Sequence, residues 1–98
     1  MSDSAHDDPP VVVPVGPELD LHSFLPRDIP SVGDEYVHAA HGAGLEHVRI
    51  VHGRGRGVQR GIVQAALDRH PLVASFRDDA GSHLGATLAD LVRDDRLA

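Results

Sequence analysis

The chain has 98 residues, no cysteine and a formal net charge of −6. This length allows one domain with a modest core, and the missing cysteines exclude disulfides and thiolate metal centres. The acidic balance opposes strong electrostatic steering of nucleic acid, but it is concentrated at the ends: residues 1–18 carry Asp3, Asp7, Asp8 and Glu18 without a base, and residues 19–88 hold eight acids against seven arginines.

The first seventeen residues are acidic and rich in proline, and are expected to form a flexible arm preceding a domain over residues 18–92, with 93–98 as a tail. Val11–Val15 is apolar but interrupted by Pro14, which suits an edge strand or an extended segment. Glu18-Leu-Asp-Leu-His22 alternates as a short strand, with Leu19 and Leu21 on one side and Asp20 and His22 on the other. A helix is predicted from about Asp28 to His41, with Ile29, Val32, Tyr36, Val37 and Ala40 as its buried stripe and Gly42 and Gly44 at its end.

His47–Val51 reads as a buried strand, followed by glycines at 53, 55 and 57 and a helix from Val58 to about Arg69 that His70-Pro71 stops. Leu72–Phe76 is the third strand, 77–82 a polar loop, and Leu84–Val92 the fourth strand. The βαβαββ order predicts a compact two-layer α/β sandwich. Its four-stranded sheet should be mainly parallel, with an antiparallel last strand after the short connection. No apolar run reaches the roughly 18 residues of a membrane span. The N-terminus lacks a signal-peptide pattern, so the expected location is cytoplasmic.

The segment Arg49–Arg60 contains Arg49, Arg54, Arg56 and Arg60, and no acid occurs between His47 and Leu67. A glycine turn from strand to helix lets backbone approach a ligand and directs free helix N-terminal amides at it, a setting that favours phosphate. Asp20 and His22 end the first strand, while His52 and the glycines end the second. If the two strands are neighbours, these groups meet at one sheet edge, beyond the carboxyl ends where αβ sheets bind ligands.

Two histidines beside a phosphate can act as base and acid, with arginines and turn amides stabilising charge on phosphorus. Asp20 could orient a histidine or hold a divalent ion such as Mg2+ or Mn2+, and a metal-activated water suits DNA, which has no 2′-OH. Plainer readings stay open. The glycines could simply make a tight turn, the arginines could be a solvated helix face, and a strand-end histidine is commonly structural. His38 and His41 have i,i+3 spacing but no evident third partner in register, which reads as surface rather than metal.

Leu19-Asp-Leu-His22 and His52-Gly-Arg-Gly55 resemble the LDxH and HGxG motifs of the Smr (small MutS-related) domain family. Support comes from the helix after the glycines, from His70-Pro71-Leu-Val before the third strand and from Gly85-Ala-Thr87 at the last. The resemblance spans about residues 18–92, with no MutS-like ATPase or clamp region, and implies a stand-alone Smr protein. It implies a sandwich similar to the C-terminal domain of translation initiation factor 3, and binding or endonucleolytic nicking of DNA or RNA. Asp20 and His22 carry over as the catalytic motif, and His52, Gly53 and Gly55 as the substrate-contacting motif. Substrate roles for Arg54, Arg56, Gly57 and Arg60 follow from charge and position alone. Ser23 stands where the family often has glycine, and the glycine-rich segment before the last strand is reduced to Gly81-Ser-His-Leu-Gly85.

These readings converge on a phosphodiester-cleaving endonuclease whose partner is DNA or RNA, with His22 as acid–base group, Asp20 orienting it or holding a metal, and His52 and Arg54 positioning and polarising the phosphate cradled by the amides around 53–57. The alternatives are a module that binds nucleic acid or a phosphorylated ligand without cleavage, and a protein adaptor using the Val11–Val15 arm as an added strand.

Overall fold

A computed structural model of the chain describes residues 15–53 and 57–93. Strand β1 (Glu18–Asp20), helix α1 (Ile29–Gly42), β2 (His47–Val51), α2 (Val58–Arg69), β3 (Val73–Asp78) and β4 (Ala86–Leu91) follow in the order βαβαββ, with 3-10 turns at Pro26–Asp28 and Ala80–Ser82. Most of the Val11–Val15 segment and residues 54–56 lie outside the described residues.

Local chemistry explains the element boundaries. Pro30 sits in the first turn of α1, where its missing N–H costs nothing. At the other end Gly44 adopts φ 86°, its N–H bonds His41 O at 3.0 Å, and Leu45 N–H bonds Ala40 O at 3.0 Å. That pair is a Schellman stop, and it folds Leu45 back onto the core. Gly57, at φ 81°, turns the chain into α2, and His70 leaves it in extended conformation ahead of Pro71.

Strand order is β1-β2-β4-β3. β1 pairs with β2 in parallel, while β4 pairs antiparallel with both β2 and β3. The sheet is therefore mixed, which corrects the expectation of a mainly parallel one. β3 runs in the same sense as β1 and β2, but β4 returns between β2 and β3, so two of the three ladders are antiparallel. Burial explains the placement. β4 buries Ala86, Thr87, Ala89 and Leu91 and takes an interior position, whereas β3 has no fully buried residue and takes the edge.

Val48 and Ile50 of β2 and Ala89 and Leu91 of β4 form one core cluster with Ile29, Val37 and Ala40 of α1 and Val63 and Leu67 of α2. Alternate residues form the opposite face, which is laced with ion pairs of Arg49 with Glu18 and Asp79 and of Asp90 with Arg77, and with a hydrogen bond between His47 and Asp90. Among the described residues no helix is long and apolar enough to cross a membrane.

Candidate functional site

The parallel ladder sets Asp20 beside Val51, and Leu21 N–H continues it with a 2.9 Å bond to Val51 O. Asp20 and His22 therefore emerge from the same sheet edge as His52 and Gly53, so the neighbouring strands inferred from the βαβ order are neighbours in fact. Leu21, between the two polar residues, is 0% exposed and anchors the strand end in the core.

Asp20 Oδ1 accepts two hydrogen bonds from His22, one from the backbone N–H at 3.0 Å and one from ring Nδ1 at 2.8 Å. These bonds, the backbone one foremost, hold the Asp20 carboxyl below its ordinary value. An ionised carboxylate can only accept, so the ring proton sits on Nδ1 and the Nε2 lone pair is left outward. The His22 side chain is 80% exposed, which makes that nitrogen accessible.

His52 is placed differently. It is 4% exposed, and both of its ring nitrogens are engaged: Nδ1 with Gly53 O at 2.9 Å and Nε2 with Thr87 Oγ1 at 2.9 Å. The Gly53 carbonyl can only accept, so Nδ1 carries the proton and the Thr87 hydroxyl donates to Nε2. Gln64 Nε2 in turn donates to Thr87 Oγ1 at 3.0 Å and to Asp78 Oδ1 at 2.9 Å. The resulting chain ties the β2 end to β4, α2 and β3. His52 thus presents no open ring nitrogen, and its bonds hold the end of β2 to the turn and to β4.

The backbone reinforces this tie. Gly85 O accepts from His52 N–H at 3.0 Å and from Gly53 N–H at 2.9 Å. The Gly53 amide is consequently spent inside the protein instead of facing a phosphate. Gly53 has φ 82° with nothing within 4 Å of a Cβ position, so glycine is required there by conformation and not by space.

Arg60 reaches Asp78 with two bonds, Nε to Oδ1 and Nη2 to Oδ2, each 2.7 Å. Arg60 first and Gln64 second pull the Asp78 carboxyl down to about 2. Arg49, the other described arginine of the basic segment, bonds Asp79 at 2.8 Å and also pairs with Glu18. Of the positive charges read from the sequence, those of Arg49 and Arg60 are therefore met by Glu18 of β1, Asp78 of β3 and Asp79 just after it. Arg54, Gly55 and Arg56 lie outside the described residues. Gly57 caps α2 without a side-chain bond to its first-turn amides.

Three members of this network went unnoticed in the sequence. Asp78 falls within the polar loop expected over 77–82, although β3 extends to it. Gln64 lies on the sheet-facing side of α2, one helical turn after Arg60, which is a usable signal. Thr87 stands out in the sequence only as the last residue of Gly85-Ala-Thr87.

The Smr domain family model matches residues 19–91. The MutS2 endonuclease of Halothermothrix orenii is 36% identical over 81 residues, which is 79% of this chain and 10% of that protein. That of Thermomicrobium roseum is 41% identical over 81 residues, with the same coverage of 79% and 10%. The chain thus spans about a tenth or less of the curated relatives it matches. Among solved structures, the Smr domain of Thermus thermophilus MutS2 superposes with a TM-score of 0.73 at 30% identity, covering 79% of this chain and 99% of that one. YdaL, a stand-alone small MutS-related protein from Escherichia coli, gives a TM-score of 0.71 at 23% identity, covering 80% and 65% respectively, a likeness of fold.

Proposed function

This chain belongs to the Smr domain family, and from that membership we propose that it is a nucleic-acid-binding endonuclease that cleaves phosphodiester bonds with His22 as its proton carrier. One observation carries the reading: the Asp20 carboxylate fixes the His22 ring at 2.8 Å through Nδ1 and leaves Nε2 exposed. The similarity to proteins named endonuclease MutS2 supports the same reaction class.

On RNA, His22 Nε2 takes the proton of a 2′-OH, the 2′-oxygen attacks phosphorus, and the 5′-oxygen leaves and is protonated from water or by the histidinium. Asp20 stabilises the histidinium formed in the first step. His52 acts through position, keeping Gly53 and the turn beside the dyad. The first-turn amides of α2 and the arginines of the glycine segment supply the positive surroundings for phosphate. On DNA the nucleophile is water, and a Mg2+ or Mn2+ ion would activate it. Asp20 offers one carboxylate for such an ion, which ordinarily takes one or two and completes its shell with phosphate and water.

The test is incubation with single-stranded RNA and with supercoiled DNA, each with and without EDTA, next to His22→Ala. RNA cleavage that resists EDTA and disappears in the variant supports histidine chemistry, and EDTA-sensitive nicking of DNA supports the metal-assisted route. A second reading, a module that binds without cutting, is favoured by the internal commitment of the Gly53 amide and Arg60. Salt-dependent binding with every substrate left intact would select it.

A further inference from the structure

We propose that Asp34, His38 and His70 bind a divalent transition-metal ion of the Zn2+ type, at a site separate from the Asp20–His22 dyad. Folding supplies the partners that His38 lacks in its i,i+3 pairing with His41. Asp34 lies one turn earlier on the same face of α1, and His70 arrives from the C-terminal cap of α2. The three candidate ligand atoms lie within 4.8 Å of one another. His70 Nε2 is 2.9 Å from Asp34 Oδ1, and His38 Nδ1 is 3.6 Å from the same oxygen.

The independent observation is the state of His70. Its side chain is only 5% exposed, yet its Nε2 has no hydrogen-bond partner. The Asp34 oxygen is near enough but stands outside hydrogen-bonding direction. A buried imidazole nitrogen close to a carboxylate and a second imidazole is satisfied by an ion placed among them. Two ligands about 2.1 Å from a tetrahedral ion sit roughly 3.4 Å apart; the 2.9 Å and 3.6 Å separations lie on either side of that spacing, so small side-chain shifts would admit the ion. Two imidazoles with one carboxylate suit Zn2+ better than Mg2+ or Ca2+, which prefer oxygen.

Ligation rearranges two ring protons. Leu72 N–H donates to His70 Nδ1 at 3.0 Å, so the neutral ring carries its proton on Nε2. Metal binding at Nε2 moves that proton to Nδ1 and releases the Leu72 amide. His38 Nδ1 donates to Asp34 O at 3.0 Å, and coordination there shifts its proton to Nε2. No net proton is gained or lost. Asp34 and His70, with Arg69, are polar members of the lining of a cavity of about 200 Å³ between the two helices and the sheet. α2 has 12 residues, so this end lies about 18 Å from the glycine turn. An ion here would clamp α1 to α2.

The full chain is titrated with Zn2+ by calorimetry and followed by amide NMR. The expected result is one site, with the Leu72 amide shifting on binding. His38→Ala and Asp34→Asn, both at exposed positions, should weaken Kd at least about tenfold, while His22→Ala leaves it unchanged. Absence of binding, wild-type affinity in His38→Ala and Asp34→Asn, or loss of the site in His22→Ala would overturn the proposal.

Discussion

His52 and Thr87 are 35 positions apart in the chain, and a 2.9 Å bond from the Thr87 hydroxyl to His52 Nε2 joins them inside the protein. Thr87 is 0% exposed and sits at the junction of the two Gln64 and His52 bonds. Thr87→Val keeps the shape and removes the hydroxyl, leaving the buried Nε2 without a donor. The expected cost is about 1–3 kcal/mol, read as a lower urea midpoint with an unchanged m-value.

Asp20→Asn tests the dyad without removing bulk. The Asn carbonyl can still accept the His22 backbone N–H, but its amide can also donate to Nδ1 and so favour the opposite ring tautomer. Cleavage should fall by about 10²–10⁴-fold while nucleic-acid affinity changes little. Single-turnover rates beside binding isotherms separate the two effects, and equal losses in both would sink the assignment.

The Arg60–Asp78 pair predicts an acid dependence of stability. The Asp78 carboxyl is lowered from 3.8 to about 2 in the folded protein. A depressed folded value contributes stability that is fully present above the unfolded value and is lost as pH falls through the folded one. The window therefore runs from about pH 4 down to about 2. Asp78→Asn should make the stability profile shallower there by up to about one proton. Some slope should persist, because Asp20, Asp79 and Asp90 are lowered in the same direction.

Leu21 links the core to the site. It is fully buried between Asp20 and His22, so Leu21→Ala should destabilise by about 2–5 kcal/mol. Its loss should also loosen the dyad. The variant's cleavage rate at a temperature where it remains folded should fall below wild type, and an unchanged rate would show that the dyad does not depend on this anchor.

Tyr36 fastens the backbone just before β1. Its hydroxyl donates to Gly16 O at 2.6 Å, and burial, with Glu18 nearby, raises its pKa to about 12. Tyr36→Phe should cost about 0.5–1.5 kcal/mol and increase amide exchange around Gly16.

The element order, and the limits of β2 and α2, are readable because each depends on local chemistry. Alternating apolar residues mark β2, Gly57 turns the chain, and His70-Pro71 ends the helix. The pairing of β1 with β2, which sets Asp20 beside Val51, follows from the same logic, since a βαβ unit commonly places its strands side by side. The dyad itself spans three residues, so its geometry is nearly local. The position of β4 between β2 and β3 is not readable, because the preceding turn fixes its direction relative to β3 but not which strand it meets on its other side. That choice belongs to the whole core, which draws the most buried strand inward. It also decides the chemistry of the side chains. Only once β4 is central does Thr87 reach His52, and only with β3 at the edge does Asp78 reach Arg60. Residue types and their spacing mark the candidates, whereas long-range pairing decides which of them stay open to a substrate and which are spent holding the fold.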